Sequence, residues 1–263
     1  MKPICGETRA ETWLRAARHL RGCDNLEDYN VVLEIKNPAQ ATDVDKIIDA
    51  RVDAILRGAG VLPLNSVAET LFPASEYRRH GPKGVYEIYP EKVFPGIRSL
   101  LGWGTYAYRL IRGTAPDGTV IRPLEKCVTK MKCQLAKDGG VNRTCYELSL
   151  GDADEPYELP VYRAANDQAH TYGRPCLSHI SLKITRDRKL NLTALYRSHF
   201  YVERALGNLL GLARLQAFIA KETGLANGTL VCVSTYARLD LHTGWGKAKL
   251  DELFDLLPSS TAA

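Results

Sequence analysis

CLSHISLKITRDRKLNLTALYRSHFYVERALGNLLGLARLQAFIAKETGLANGTLVCV, residues 176–233, carries the pattern that decides the fold. Cys176 to Thr185 and Leu190 to Tyr196 read as strands, and the polar turn Arg186-Asp187-Arg188-Lys189 between them predicts a hairpin. Arg204 to Glu222 is then a long helix with apolar residues all round, which predicts burial on every side. Gly224 closes that helix, and Gly228 to Val233 returns as a strand. Strands around one central buried helix predict an α+β fold with a large mixed β-sheet.

Working outward, Arg143 to Leu150 supplies a further strand. Pro123, tolerated in a first turn, opens a helix with Leu124, Cys127, Val128, Met131 and Leu135 on one face, and Asp138-Gly139-Gly140 ends it. From Asp43 onward Val44, Ile47, Ile48, Val52, Ile55 and Leu56 fall at helical spacing until Gly58 and Gly60. Tyr29 to Ile35 is a β-branched run closed by Asn37-Pro38 and reads as a strand. Residues 7–21 predict a basic amphipathic helix with Trp13, Leu14, Ala17 and Leu20 on one side. No repeat, low-complexity tract or Pro/Ser-rich linker divides the chain, so residues 1–263 are expected to form a single domain.

Composition bounds the function. Apolar residues make up 45% and charged residues 25% of the 263, an ordinary globular mixture that excludes disordered and collagenous classes. The net charge of +5 suits an anionic ligand and, without a localised patch, does not point to nucleic acid. No apolar run approaches the roughly 18 residues of a membrane span. The opening MKPICGETRAETWLRAARHL is charged where a signal peptide is apolar, so a cytoplasmic protein is expected. The seven cysteines are scattered, without a CxxC pair or clustered histidines, and no metal site is expected.

The chemistry concentrates in Cys176–Asp240. Arg174-Pro175-Cys176 opens a strand; a hairpin leads to Tyr196-Arg197-Ser198; Asn208 follows Arg197 by eleven residues; the helix ends in Thr223-Gly224-Leu225. A cysteine thiolate is the strongest nucleophile among side chains, and nearby cations favour it; Arg174 and Arg197 are the candidates. Arg197 with Ser198 offers a fork and a hydroxyl to a phosphate. Asn208 offers a donor and an acceptor to the edge of a base. Taken singly, each has a plain structural account: a packed thiol, a solvated strand end, a satisfied amide. His179 lies at an odd offset from Cys176 on one strand, which argues against a Cys–His dyad.

In their order and spacing these residues resemble the nucleotide-binding half of the thymidylate synthase family, over about 65 residues. Weaker matches are Glu69 in VAETLF, Tyr106 in GWGTYAYRL and Arg143 in VNRTCYEL. The resemblance implies a thymidylate synthase-like fold and a homodimer. It implies Cys176 as nucleophile toward C6 of a pyrimidine nucleoside monophosphate, with Glu69 and Tyr106 in catalytic positions. It also implies 5,10-methylenetetrahydrofolate as one-carbon donor. Arg197, Ser198 and Asn208 would bind the nucleotide, and Arg143 would reach the partner's phosphate.

The departures redirect the expectation. Phe200 stands where the family has an aspartate, Asn142 replaces the first arginine of the phosphate pair, and Arg238-Leu239-Asp240 replaces a His-x-Tyr that binds the sugar. The family's closing C-terminal peptide has no counterpart in KLDELFDLLPSSTAA. A carboxylate at Asp240 suits two ribose hydroxyls, so 5-hydroxymethylation of a CMP- or UMP-type nucleotide is expected, with Arg238 and Asp240 binding the sugar. Asn208 favours uracil by resemblance, so the base stays open. The alternative is a nucleotide-binding sensor, regulator or partner subunit without folate chemistry.

Overall fold

A computed structural model describes residues 2–98, 104–114, 119–137, 140–150, 176–241 and 246–256. In chain order, the first half gives β1 (Ile4–Gly6), α1 (Arg9–Arg21), a 3-10 turn (Asp24–Leu26), β2 (Glu27–Ile35), α2 (Asp43–Gly58), α3 (Leu64–Leu71) and α4 (Ala74–His80). A π-helical stretch (Gly84–Val93), α5 (Phe94–Ile97), α6 (Tyr106–Ile111), the short β3 (Gly113–Thr114) and β4 (Val120–Ile121) and α7 (Pro123–Leu135) follow. The second half gives β5 (Tyr146–Ser149), β6 (Leu177–Ile184), β7 (Lys189–Tyr196), β8 (His199–Phe200) and a π-turn (Tyr201–Ala205). It ends with α8 (Leu206–Thr223), β9 (Ala226–Arg238) and α9 (Lys247–Phe254).

Among the described residues, seven strands form one mixed sheet in the order β1-β2-β9-β7-β6-β5, with β8 also on β9. β9 runs antiparallel to β2 and parallel to β7, and β6 and β7 make the expected hairpin. The fold is α+β with a large mixed sheet. Period-2 alternation fixes its faces: on β7, Leu190, Leu192, Ala194 and Tyr196 are buried while Lys189, Thr193 and Leu195 are exposed. The inner face packs under α1 and α8, where the Trp13 indole N–H donates to the Tyr201 carbonyl at 2.7 Å. The outer face carries registered rows such as Val32–Val233–Leu195.

The central helix is buried as its composition predicts, with Leu206, Leu209, Leu212, Leu215 and Ile219 inaccessible to solvent. It begins two residues later than the sequence suggests, because Tyr201–Ala205 first make a π-turn. Gly224 takes the left-handed φ of 70° that the helix stop requires. Gly207 and Gly211, one turn apart, let α3 approach closely: a Cβ on Gly207 would stand 2.6 Å from Val67 Cβ, and one on Gly211 2.8 Å from Leu71 Cβ. β9 runs well past the expected Val233 because its later residues still pair with β2 and β8. The short helices between Leu64 and Ile111 have no counterpart in the sequence reading. Arg174 and the expected Asp138-Gly139 helix stop lie outside the described residues.

Candidate active site at one end of the sheet

Parallel pairing of β7 with β9, and of β8 with β9, brings the C-terminal ends of these strands to one edge. The hairpin brings the start of β6 to the same edge. Cys176 sits there, one residue before β6, and its carbonyl accepts from the Arg197 N–H at 2.9 Å. The backbone N–H groups of Cys176 and Leu177 donate to the Tyr106 hydroxyl oxygen at 2.9 and 3.3 Å. Tyr106 begins α6, capped by Thr105, whose Oγ1 also lies 2.8 Å from the Tyr89 hydroxyl. The site's nucleophile candidate and its tyrosine are thus joined through backbone amides.

Burial pushes the Cys176 thiol above its ordinary range, while the charges of Arg197 and Arg204 pull it down. Burial likewise pushes Tyr106 up to about 12, with the nearby Cys176 adding to the shift, so the phenol stays protonated at neutral pH. Arg204, placed by the π-turn and 2.7 Å from Glu203, is a cation that sequence reasoning missed. Its only sequence signal is its position at the head of the central helix.

Asn208, buried in the first turn of α8, turns its amide nitrogen to His199 Nε2 at 3.1 Å, and His199 Nδ1 lies 3.0 Å from Ser234 Oγ. An acceptor Nε2 makes Nδ1 the protonated nitrogen, so the ring donates to Ser234. His199 stacks on Tyr196 at 4.1 Å between centroids, and its burial holds its pKa down to about 3. Neither His199 nor Ser234 was singled out from the sequence; a histidine directly after Arg197-Ser198 was the available signal.

Asp240 is buried and accepts from the Val202 and Glu203 N–H groups at 2.8 and 3.0 Å. It therefore holds the π-turn in place, a duty not foreseen beside the expected contact to sugar hydroxyls. Burial raises its pKa, opposed by those backbone donors. Arg238 ends β9 in register with Phe200 and Glu27, and Arg238 and Phe200 are exposed at this edge. Ser198 is half-buried beside Arg197.

Two expected residues stand apart. The Glu69 carboxylate accepts from Ser75 Oγ at 2.7 Å and from Arg214 Nη1 at 3.4 Å, and no polar contact joins it to Cys176 among the described residues. The Arg143 carbonyl accepts from Ile184 N–H, at the far end of β6. Eight residue steps at about 3.3 Å separate that end from Cys176, roughly 25 Å. His179 is bonded to Glu147 at 2.8 Å on the exposed face.

Comparison with known proteins gives three archaeal relatives. A protein of Methanococcoides burtonii named "Putative thymidylate synthase" is 38% identical over 73 residues, 28% of this chain and 33% of that one. Proteins of the same name from Methanosarcina barkeri and Methanosarcina mazei are each 37% identical over 68 residues, 26% of this chain and 31% of theirs. The chain spans about a third of the length of the curated relatives it matches. No family model matches. These similarities support a distant thymidylate synthase-like relationship.

Proposed function

We propose that the chain is a thymidylate synthase-like transferase that adds a one-carbon unit to C5 of a pyrimidine nucleoside monophosphate, as a 5-hydroxymethylase of a CMP- or UMP-type nucleotide. The observation that carries this reading is the convergence of the Cys176 thiol, the charges of Arg197 and Arg204, and Asn208 at one sheet edge. Cys176 adds to C6 as thiolate, which gives C5 the character of an enolate carbon and splits one difficult step into two. Arg197 and Ser198 bind the phosphate, where a guanidinium fork suits the oxygens. Asn208 meets the base with its amide oxygen and remaining N–H, held in orientation by His199. Arg238 and Asp240 are assigned to the sugar. Tyr106 fixes the start of β6, and with it the direction of the thiol. Glu69 is the proposed proton carrier, and reaching the base requires it to leave Arg214.

The family's cofactor, 5,10-methylenetetrahydrofolate, would supply the one-carbon unit. Phe200, 42% exposed beside Arg238, replaces the aspartate that the resemblance would use to hold it, so the described residues do not reproduce that folate contact. A hydroxymethyl product needs water to finish, not hydride, and so asks less of the folate pocket than a methyl product does.

The proposed assembly is a homodimer through the outer sheet face. Its support is that Arg143 is too far from its own Cys176 to serve that site, while the outer rows Val32–Val233–Leu195 offer apolar side chains to a second sheet. No described helix is long and apolar enough to cross a membrane, and a cytoplasmic location is part of the proposal. A second reading, nucleotide binding without one-carbon transfer, draws on the engagement of Glu69 by Ser75 and Arg214. Tritium release from C5-labelled UMP, dUMP, CMP and dCMP, with and without methylenetetrahydrofolate, tests both. Folate-dependent release from one nucleotide supports the enzyme; binding without release under any condition supports the second reading.

A further inference from the structure

The end of α1 carries a cluster that the proposed site does not use. His19 Nε2 lies 2.7 Å from Asp28 Oδ2, Cys23 Sγ lies 3.7 Å from His19 Nε2, and the three potential ligand atoms all fall within 4.8 Å of one another. No CxxC or paired-histidine spacing marks this group in the sequence. It forms because His19 and Cys23 are one helical turn apart and the 3-10 turn then reverses the chain. Asn25 and Leu26 take left-handed φ values of 54° and 60° in that reversal, which brings Asp28 back over the helix end.

We propose that His19, Cys23 and Asp28 form a three-ligand site for a divalent transition-metal ion of borderline softness, with zinc(II) the best fit and solvent completing a tetrahedron. The donor set of one imidazole, one thiolate and one carboxylate is one that zinc takes. At zinc's usual bond lengths of about 2.0–2.3 Å, tetrahedral edges are about 3.6 Å between N and S and about 3.4 Å between N and O. The N–S separation already matches, and the His19–Asp28 pair must open by roughly 0.7 Å, which side-chain rotation permits at a partly exposed site. The Tyr29 N–H, 2.7 Å from Asp28 Oδ1, holds the carboxylate with its other oxygen toward His19.

The surrounding charges favour a cation. Asp28 faces His19 and Cys23, and Asp24 follows Cys23 in the chain, so two carboxylates stand at the cluster. The arginines of the same helical turn point elsewhere, Arg18 to the Phe254 carbonyl and Arg21 to Asp251. The helix C-terminus adds partial negative charge on the same side. A bound ion would tie α1 to the start of β2. Asp28 pairs with Ala237, and Ala237 also pairs with His199, so the tie would brace the sheet edge that carries Asn208.

Cobalt(II) reports the site directly, since a thiolate on cobalt gives a near-ultraviolet charge-transfer band and tetrahedral coordination gives strong visible bands. The full chain, stripped with chelator and titrated with cobalt(II), should develop both bands at one equivalent and lose them on adding zinc(II). Cys23→Ser should abolish the charge-transfer band, while Cys5→Ser and Cys133→Ser should leave it. His19→Ala and Asp28→Ala should weaken zinc(II) binding about 10–100-fold or more by calorimetry, with circular dichroism showing that each variant is folded. No thiolate band in the wild type, or a band that survives Cys23→Ser, would overturn the proposal.

Discussion

Asn208 points its amide nitrogen at the Nε2 of His199, 3.1 Å away, and this bond fixes the orientation of the buried amide. The histidine is wholly enclosed, its other nitrogen on Ser234 and its ring on Tyr196. A charged imidazolium has no place there.

That enclosure gives stability a pH dependence. The folded pKa of His199 is down at about 3 against 6.5 for the free group. The unfolded chain therefore binds the proton first, so the contribution is present above about pH 6.5 and is lost as pH falls toward 3. Urea unfolding at pH 7 and pH 5 should show wild type losing about 2 kcal/mol more than His199→Phe. Equal losses would mean that the ring is protonated in the folded state.

Cys176 should react slowly at neutral pH. Burial holds its thiol above the ordinary range despite Arg197 and Arg204. Iodoacetamide labelling of the Cys176 peptide, followed by mass spectrometry, should rise with an apparent pKa above the usual value of about 8.5. Arg197→Ala and Arg204→Ala should each move that midpoint further up. A midpoint below that of a free thiol, or one indifferent to both substitutions, would contradict the assigned electrostatics.

Arg197→Ala should weaken binding of a nucleoside monophosphate by about 1.5–3 kcal/mol, since a charged hydrogen bond is removed. Binding of the corresponding nucleoside should hardly change. Calorimetry with both ligands separates a phosphate contact from a general loss of the site.

Gly207→Ala should destabilise the protein by about 1–3 kcal/mol, because the new methyl meets the Val67 side chain at 2.6 Å and the two helices must part. Gly58→Ala on the open end of α2, where an added Cβ meets nothing within 4 Å, is the control. A Gly207→Ala chain as stable as that control would show that α3 and α8 are not so closely packed.

Much of the fold was readable because long periodic segments carry their own signal. The helices of residues 9–21, 43–58 and 123–135, the hairpin and the buried central helix all follow from spacing and stop residues. The chain from Leu64 to Ile111 was not readable, since its helices are short and broken by Pro73, Gly81 and Pro90, leaving no window long enough for a period. In the candidate site, resemblance singled out Cys176, Arg197 and Asn208 by their order, and their roles there stand as proposals. The sequence was not legible where contacts depend on tertiary placement. Glu69 meets Arg214 from another helix, Arg204 reaches the thiol through a π-turn, and Asp28 meets His19 through a reversal with two left-handed residues.

The most direct measurement is mass mapping of the adduct formed with a 5-fluoropyrimidine nucleoside monophosphate in the presence of methylenetetrahydrofolate. Fluorine at C5 blocks the elimination that frees the enzyme, so the covalent species should accumulate. The account predicts a nucleotide adduct on Cys176, none on the other six cysteines, and no C5 turnover by Cys176→Ser. Full C5 turnover by Cys176→Ser, or an adduct on a different cysteine, would contradict it.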